Sequence, residues 1–243
     1  MKLLQKLQAN VEYLKSYLRL FRQDNRAYQI VKQVRDQKLT YLEPAALADI
    51  YERVKQVEEN QLDGVILEAG CALGGSALVI SFAKGKNRPF LIFDAFEMIP
   101  PPSESDGEDA HKRYEQISSG QATGIKGGTY YGYQDNLLDQ VQETFKTFEL
   151  PPDEYHVDFI QGYYENALHV DQPIAFAHID CDWYDSVITC LERIEPYLVS
   201  GGVMVIDDYN DWSGCKKAVD TYFAERGDEF EFEMKSRLHI IRK

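Results

Sequence analysis

Five short apolar runs, each closed by a glycine or an aspartate, constrain this 243-residue chain more than any other feature. They are GVILEAG (64–70), RPFLIFDAF (88–96), DFIQG (158–162), PIAFAHID (173–180) and GGVMVIDDY (201–209). Runs that are continuously apolar, rather than alternating, belong to strands buried on both faces, as in a parallel sheet covered by helices. Between the first two, GGSALVISFAKGKN reads as a short helix and its exit. Between the last two, Tyr184 to Val199 is a helix long enough for a right-handed crossover. The chain closes differently. After a helix from roughly Gly214 to Arg226 come EFEFEM and RLHIIRK, separated by a couple of residues. So short a connection permits only an antiparallel hairpin. The expected class is α/β, with a mostly parallel sheet and a C-terminal antiparallel hairpin.

The first sixty residues are predicted to be helical. Leu3, Leu4, Leu7, Val11, Leu14, Leu18 and Phe21 recur at helical spacing. A second helix is expected from Leu39 to Asn60, with Leu47, Ile50, Tyr51, Val54 and Val57 on one face and Pro44 in its first turn. Residues 1–22 carry Lys2, Lys6, Lys15, Arg19 and Arg22 against Glu12 alone. They read as an interaction element, over the cleft or against a second subunit. The expected division is a helical extension over 1–60, serving as lid or oligomer contact, and one domain over 61–243. A long segment rich in Gly, Ser, charge and tyrosine, Pro100 to Gln134, interrupts the pattern and is expected to be a lid that orders over bound ligands.

Composition excludes several classes. Twenty-six Lys+Arg against forty Asp+Glu give a net charge of −14, which repels a phosphate backbone and argues against nucleic acid as the partner. Cys71, Cys181, Cys190 and Cys215 show no CxxC spacing, so neither a zinc site nor a disulfide framework is indicated. No apolar run reaches the length of a transmembrane helix, and the N-terminus lacks the apolar stretch of a signal peptide. A cytoplasmic protein in a reducing compartment is expected.

The residues able to carry chemistry lie at the ends of the predicted strands. EAGCALGGS (68–76) places glycines at 70, 74 and 75 before a helix N-terminus. Position 72 is Ala where a dinucleotide fingerprint needs glycine. The turn either suits S-adenosylmethionine or is a packing turn. Asp94, ending the second run, is placed to meet ribose hydroxyls or to cap a loop. Four carboxylates carry the strongest signal: Asp180 and Asp182 in HIDCDWYDS, and Asp207 and Asp208 in VIDDYND. Such acids at the carboxyl ends of neighbouring strands would repel one another, and a hard cation such as Mg²⁺ resolves the repulsion. His178 is either a packed strand histidine or a donor orienting a metal site. His111, and the run Tyr130, Tyr131 and Tyr133, could face an acceptor or only pack the loop.

Several stretches together resemble the macrocin O-methyltransferase (TylF-type) family. They are LEAGCALGGSAL, FDAFEMIPPP with a following DGE, DFIQGYYENAL, and HIDCDWYDS…LERIEPYLVSGGVMVIDDY, covering most of Gly64 to Asp208. The resemblance implies a Rossmann-like class I methyltransferase sheet, whose closing hairpin matches the one read above. It also implies transfer of a methyl group from S-adenosylmethionine to a sugar hydroxyl with the help of Mg²⁺. By family pattern Asp180, Asp207 and Asp208 look like the metal ligands and Asp182 like the general base, while Glu68, Gly70 and Asp94 match cofactor positions; Gly74 and Ser76 of the same glycine turn are expected to join them at the cofactor. The family turn more often reads ETGxWxGG, whereas Cys71-Ala72-Leu73 stands in its centre here. The expected acceptor is a sugar or a catechol-like phenol, and a homo-oligomer is expected. Two other readings use the same residues: a Mg²⁺-dependent phosphoryl-transfer or hydrolytic enzyme, which needs basic clamps beside the carboxylates, and a non-catalytic adenosylmethionine-fold partner protein.

Overall fold

The computed structural model describes residues 14–243. The first part of the predicted basic N-terminal helix, residues 1–13, lies outside the described residues, and residues 14–23 are helical. Helices α1 (Asn25–Asp36) and α2 (Pro44–Glu59) precede strand β1 (Val65–Ala69), α3 (Gly75–Ala83) and β2 (Phe90–Asp94). Then come α4 (Glu108–Ser118), α5 (Leu137–Thr147), β3 (Val157–Gln161), β4 (Ile174–Ile179), α6 (Tyr184–Ile194), β5 (Leu198–Ile206), α7 (Ser213–Tyr222), β6 (Phe230–Met234) and β7 (Leu238–Arg242).

The strands form one seven-stranded sheet in the order β3-β2-β1-β4-β5-β7-β6. The first five are parallel, and β7 runs antiparallel to both β5 and β6, as expected. Every residue of β1 and β4 is buried, because helices cover both faces. The pleat sends Ile66 to one core with Leu47, Ile50, Leu78, Phe145 and Phe176, and sends Val65, Leu67 and Ala69 to the other with Ile179, Leu191 and Met204. Leu47, Ile50 and Val54 of α2 and Val31 of α1 lie in the same core as the sheet. The N-terminal helices therefore pack directly on the sheet and share its core.

Element ends follow local chemistry. The second helix starts at Pro44, not Leu39, which leaves residues 39–43 as a loop. The crossover helix stops at Ile194 because Pro196 lacks an amide hydrogen, and one 3₁₀ turn (Glu195–Tyr197) carries the chain into β5. The long segment after β2 contains a helix of its own, α4, with Glu108 and Asp109 in its first turn where the helix dipole favours them. Ile117, Ala122 and Tyr130 form a small core beneath it. From β1 the sheet grows to β2 on one side and to β4 on the other, so a crevice opens beyond the carboxyl ends of β1 and β4.

Candidate functional site

A cavity of about 610 Å³ fills that crevice. Its floor is made by the ends of β1, β2, β4 and β5, and its roof by residues 39–43, Arg113 and Ile117 of α4, and Tyr130 and Tyr131. The predicted residues Gly70, Ser76, Asp94, Asp180, Asp182, Asp207 and Asp208 all lie in its wall.

Glu68 and Gly74 do not. The pleat turns Glu68 onto the helix-covered face, where it is fully buried and its Oε1 lies 2.8 Å from His178 Nδ1. Gly74 caps α3 with φ +82°, and a Cβ there would come within 2.9 Å of Val141 Cγ1 on α5. Both residues lie behind the cavity wall. Gly70 has φ +89°, and a Cβ on it would fall 1.8 Å from the Asp180 carbonyl oxygen. The ends of β1 and β4 can cross there only because residue 70 has no side chain.

Asp94 ties β2 to the glycine turn. Its Oδ2 accepts from the amides of Cys71 (2.8 Å) and Ala72 (3.0 Å), and its Oδ1 from Phe96 N (2.7 Å). Burial raises its carboxyl above the usual range, and the three amides partly offset that.

The carboxylate cluster has its own electrostatics. Asp207 accepts from Arg237 Nε at 2.7 Å and lies 3.8 Å from His178 Nε2; these neighbours outweigh burial and hold its carboxyl below the usual range. Asp180 and Asp208 are pushed well up, first by burial and then by the surrounding carboxylates. Burial and, after it, the Asp207 charge lift Asp182 to about 6, although Trp212 bonds its side chain. The Asp182 amide donates to Asp208 Oδ2 at 3.1 Å, and the residue sits at φ +59°, a left-handed conformation costly for a side chain other than glycine. Ligand atoms gather in two groups, His178–Asp180–Asp207 and Asp207–Asp208–Asp211, each within 4.8 Å. Asp211 was within reach of sequence reasoning, since VIDDYND carries it one turn past Asp207. Arg237 was not, because only the folded hairpin brings it to Asp207.

The remaining candidates separate. Tyr130 and Tyr131 face the cavity, whereas the Tyr133 hydroxyl donates to Ile117 O at 2.5 Å and closes the end of α4. His111 lies outside the lining, with Nε2 3.1 Å from Ser103 O. Phosphate clamps are scarce. Among the described lining residues the cations are Arg237, committed to Asp207, and Arg113, which donates to Gln116 Oε1 at 3.4 Å and lies over the Tyr130 ring; nearby, Lys216 contacts the Tyr209 hydroxyl and Lys217 donates to Ser105 O. The segment after β2 is fastened to the carboxylate loops. Trp183 Nε1 donates to Pro100 O (2.9 Å), Tyr184 N to Asp106 Oδ1 (2.8 Å), and Ser213 N to Asp109 Oδ2 (2.9 Å).

Comparison with known proteins shows the family. A sequence model described as macrocin-O-methyltransferase (TylF) matches residues 22–234. A demethyldecarbamoylnovobiocin O-methyltransferase from Streptomyces niveus is 24% identical over 185 residues, covering 74% of this chain and 65% of that protein. An 8-demethyl-8-(2,3-dimethoxy-alpha-L-rhamnosyl)-tetracenomycin-C 4'-O-methyltransferase from Streptomyces olivaceus is 27% identical over 180 residues, covering 72% and 63%. The chain thus spans a little under two thirds of the length of these curated relatives. The solved structure of the O-methyltransferase NovP superposes with a TM-score of 0.67 at 22% identity, covering 84% of this chain and 81% of that one, and shares the fold.

Proposed function

The chain belongs to the macrocin O-methyltransferase (TylF) family, and on that footing we propose that it transfers a methyl group from S-adenosylmethionine to a hydroxyl of a sugar or other natural-product acceptor, with Mg²⁺ held among the strand-end carboxylates. One observation carries this reading: Asp180, Asp182, Asp207 and Asp208 share a single cavity with the glycine turn of β1. The cavity volume falls within the range of small-molecule sites. The donor set suits a hard cation, because burial and mutual repulsion would otherwise drive Asp180 and Asp208 toward protonation, while Asp207 stays ionised beside Arg237 and His178.

In this reading Asp180, Asp207 and Asp208 hold the cation, while Gly70, Ser76 and Asp94 border the cofactor and Glu68 and Gly74 support its turn. When bound, the cation lowers the pKa of the acceptor hydroxyl and S-adenosylmethionine supplies the methyl group. Asp182 accepts the hydroxyl proton. A carboxyl lifted to about 6 is still ionised at neutral pH, yet is a stronger base than an ordinary aspartate. Asp208 fixes the Asp182 loop through its amide, Arg237 holds Asp207 in place, and Tyr130, Tyr131 and Trp183 shield the reacting oxygen from water. An acceptor with adjacent oxygens, as in a sugar diol or catechol, fits best because both could meet the cation.

No helix among the described residues is long and apolar enough to cross a membrane. A cytoplasmic biosynthetic role accords with the reading, as does a homo-oligomer joined through the exposed Leu14, Leu18 and Phe21. Calorimetric titration with S-adenosylmethionine, followed by methyl transfer to a panel of sugar and phenol acceptors with and without EDTA, tests the proposal. Binding together with EDTA-sensitive transfer is expected. Absence of cofactor binding would sink the reading, and EDTA-insensitive transfer would sink its cation.

A further inference from the structure

Resting on the reading of a cation centre, we propose that His178 is itself one of the ligands, so that the ion is held by one imidazole nitrogen and aspartate oxygens. His178 is completely buried, and its Nε2 makes no hydrogen bond. A buried imidazole nitrogen without a partner is rare in folded proteins and calls for a bound ligand or a specific role. This one is aimed at the carboxylates. Nε2 lies 3.8 Å from Asp207 Oδ1, and His178, Asp180 and Asp207 each offer a ligand atom within 4.8 Å of the others. With ligand bonds of about 2.0–2.2 Å, atoms on opposite sides of one ion stand roughly 4 Å apart, so the observed span needs only a small contraction.

The other ring nitrogen is held as a ligand histidine requires. Glu68 and His178 are register partners on β1 and β4, and Nδ1–H donates to Glu68 Oε1 at 2.8 Å. A carboxylate on one nitrogen fixes the tautomer that presents the lone pair of the other, an arrangement that recurs behind metal-bound histidines. This assigns a task to Glu68, which the cavity wall excludes: it is a positioning residue acting through His178. Asp180 follows His178 by two residues and points to the same side, so one strand end supplies both a nitrogen and an oxygen. A nitrogen ligand also moves ion preference away from Mg²⁺, which favours oxygen, toward Mn²⁺ and later first-row ions.

Manganese tests this without relying on turnover. The intact chain is loaded with Mn²⁺, binding is counted calorimetrically, and pulsed electron paramagnetic resonance reads the nuclei attached to the ion. Coupling to one ¹⁴N is expected, replaced by ¹⁵N coupling when the protein is grown with ¹⁵N-histidine, so no substitution is needed for the central result. Mn²⁺ should bind at least ~10-fold more tightly than Mg²⁺. His178→Asn should remove the coupling and narrow that ratio, and Glu68→Gln should weaken both while leaving the ligand in place. If Mn²⁺ binds with no nitrogen coupling, the proposal is wrong and the carboxylate centre stands. If Mn²⁺ does not bind at all, both fall.

Discussion

His178 and His239 lie on one row of the sheet, each paired in register with Val205, and both are buried. Their surroundings drive them to opposite charge. Burial alone would lower His178, but the Asp207 and Glu68 carboxylates outweigh it and lift the imidazole to about 9 in the metal-free protein, so an ion bound at Nε2 would displace a proton. Burial and then Arg53, whose Nε donates to His239 Nδ1 at 3.1 Å, bring His239 down to about 4. A depressed histidine stabilises the fold in its neutral form. That stability is complete above the unfolded value of about 6.5 and is lost as pH falls toward 4. Between pH 7 and pH 5, urea unfolding should show a loss of about 2 kcal/mol from this residue. His239→Gln, which keeps an acceptor for Arg53, should abolish that part of the slope; an unchanged slope would reject the assignment. The aspartates predict different failures in turn. Asp182→Asn should retain cofactor and metal binding but lose ~10²–10⁴ in turnover. Asp180→Asn and Asp208→Asn should weaken the metal and be partly rescued by excess Mg²⁺. Rescue of Asp182→Asn alone would reverse the roles. The four aspartates were legible in the sequence because each pair sits beside a glycine- or strand-ended run. The Glu68–His178 contact was not, since it spans 110 residues and depends on strand register.

At the scale of elements, the strands and the hairpin could be read directly because burial on both faces leaves an unbroken apolar run. Helix α4 could not. Its moderate amphipathicity lies between glycines, and only Ala110 and Ile117 are buried. It exists largely through its anchors, with Asp109 bound to Ser213 at the start of α7 and Asp106 bound to Tyr184 at the start of α6. These bonds join the roof to the same loops that bear Asp182 and Asp208. Limited proteolysis should therefore cut residues 100–134 more slowly when S-adenosylhomocysteine and acceptor are bound, and faster in Asp106→Ala. Cleavage indifferent to saturating ligands would count against closure. The loop 39–43 escaped the sequence reading because a helix was expected there. Glu43, not Leu39, is the residue before the first helical turn, and Tyr41 stands at the cavity mouth, about half exposed.

Across the whole molecule, the N-terminal helices leave Leu14, Leu18 and Phe21 exposed on one stripe, while Leu20 is completely buried against the core. Replacing the three outward residues with Ser, Gln and Gln should alter unfolding of the monomer by less than ~1 kcal/mol, since surface changes seldom do more. It should nonetheless lower the sedimentation coefficient if the stripe joins subunits. Deleting residues 1–22 is a poorer test, because it also removes Leu20 and the Arg19–Asp49 ion pair. If the triple variant sediments as the parent does, the stripe is not the contact.

The crossing of Gly70 over the Asp180 carbonyl bears on how ligands would bind. The amide of Asp180 donates to Ala69 O, and that of Gly70 to Phe93 O, so the three strand ends form one hinge-free knuckle. A ligand that shifts the turn after β1 must shift the residues after β4, and the reverse holds equally. Occupancy on one side then sets affinity on the other by the same factor in both directions, as thermodynamic reciprocity demands. Titrating the methyl donor with and without a divalent ion, and the ion with and without the donor, should return two equal ratios. A side chain at residue 70 would destroy the fold of the knuckle before it could uncouple them.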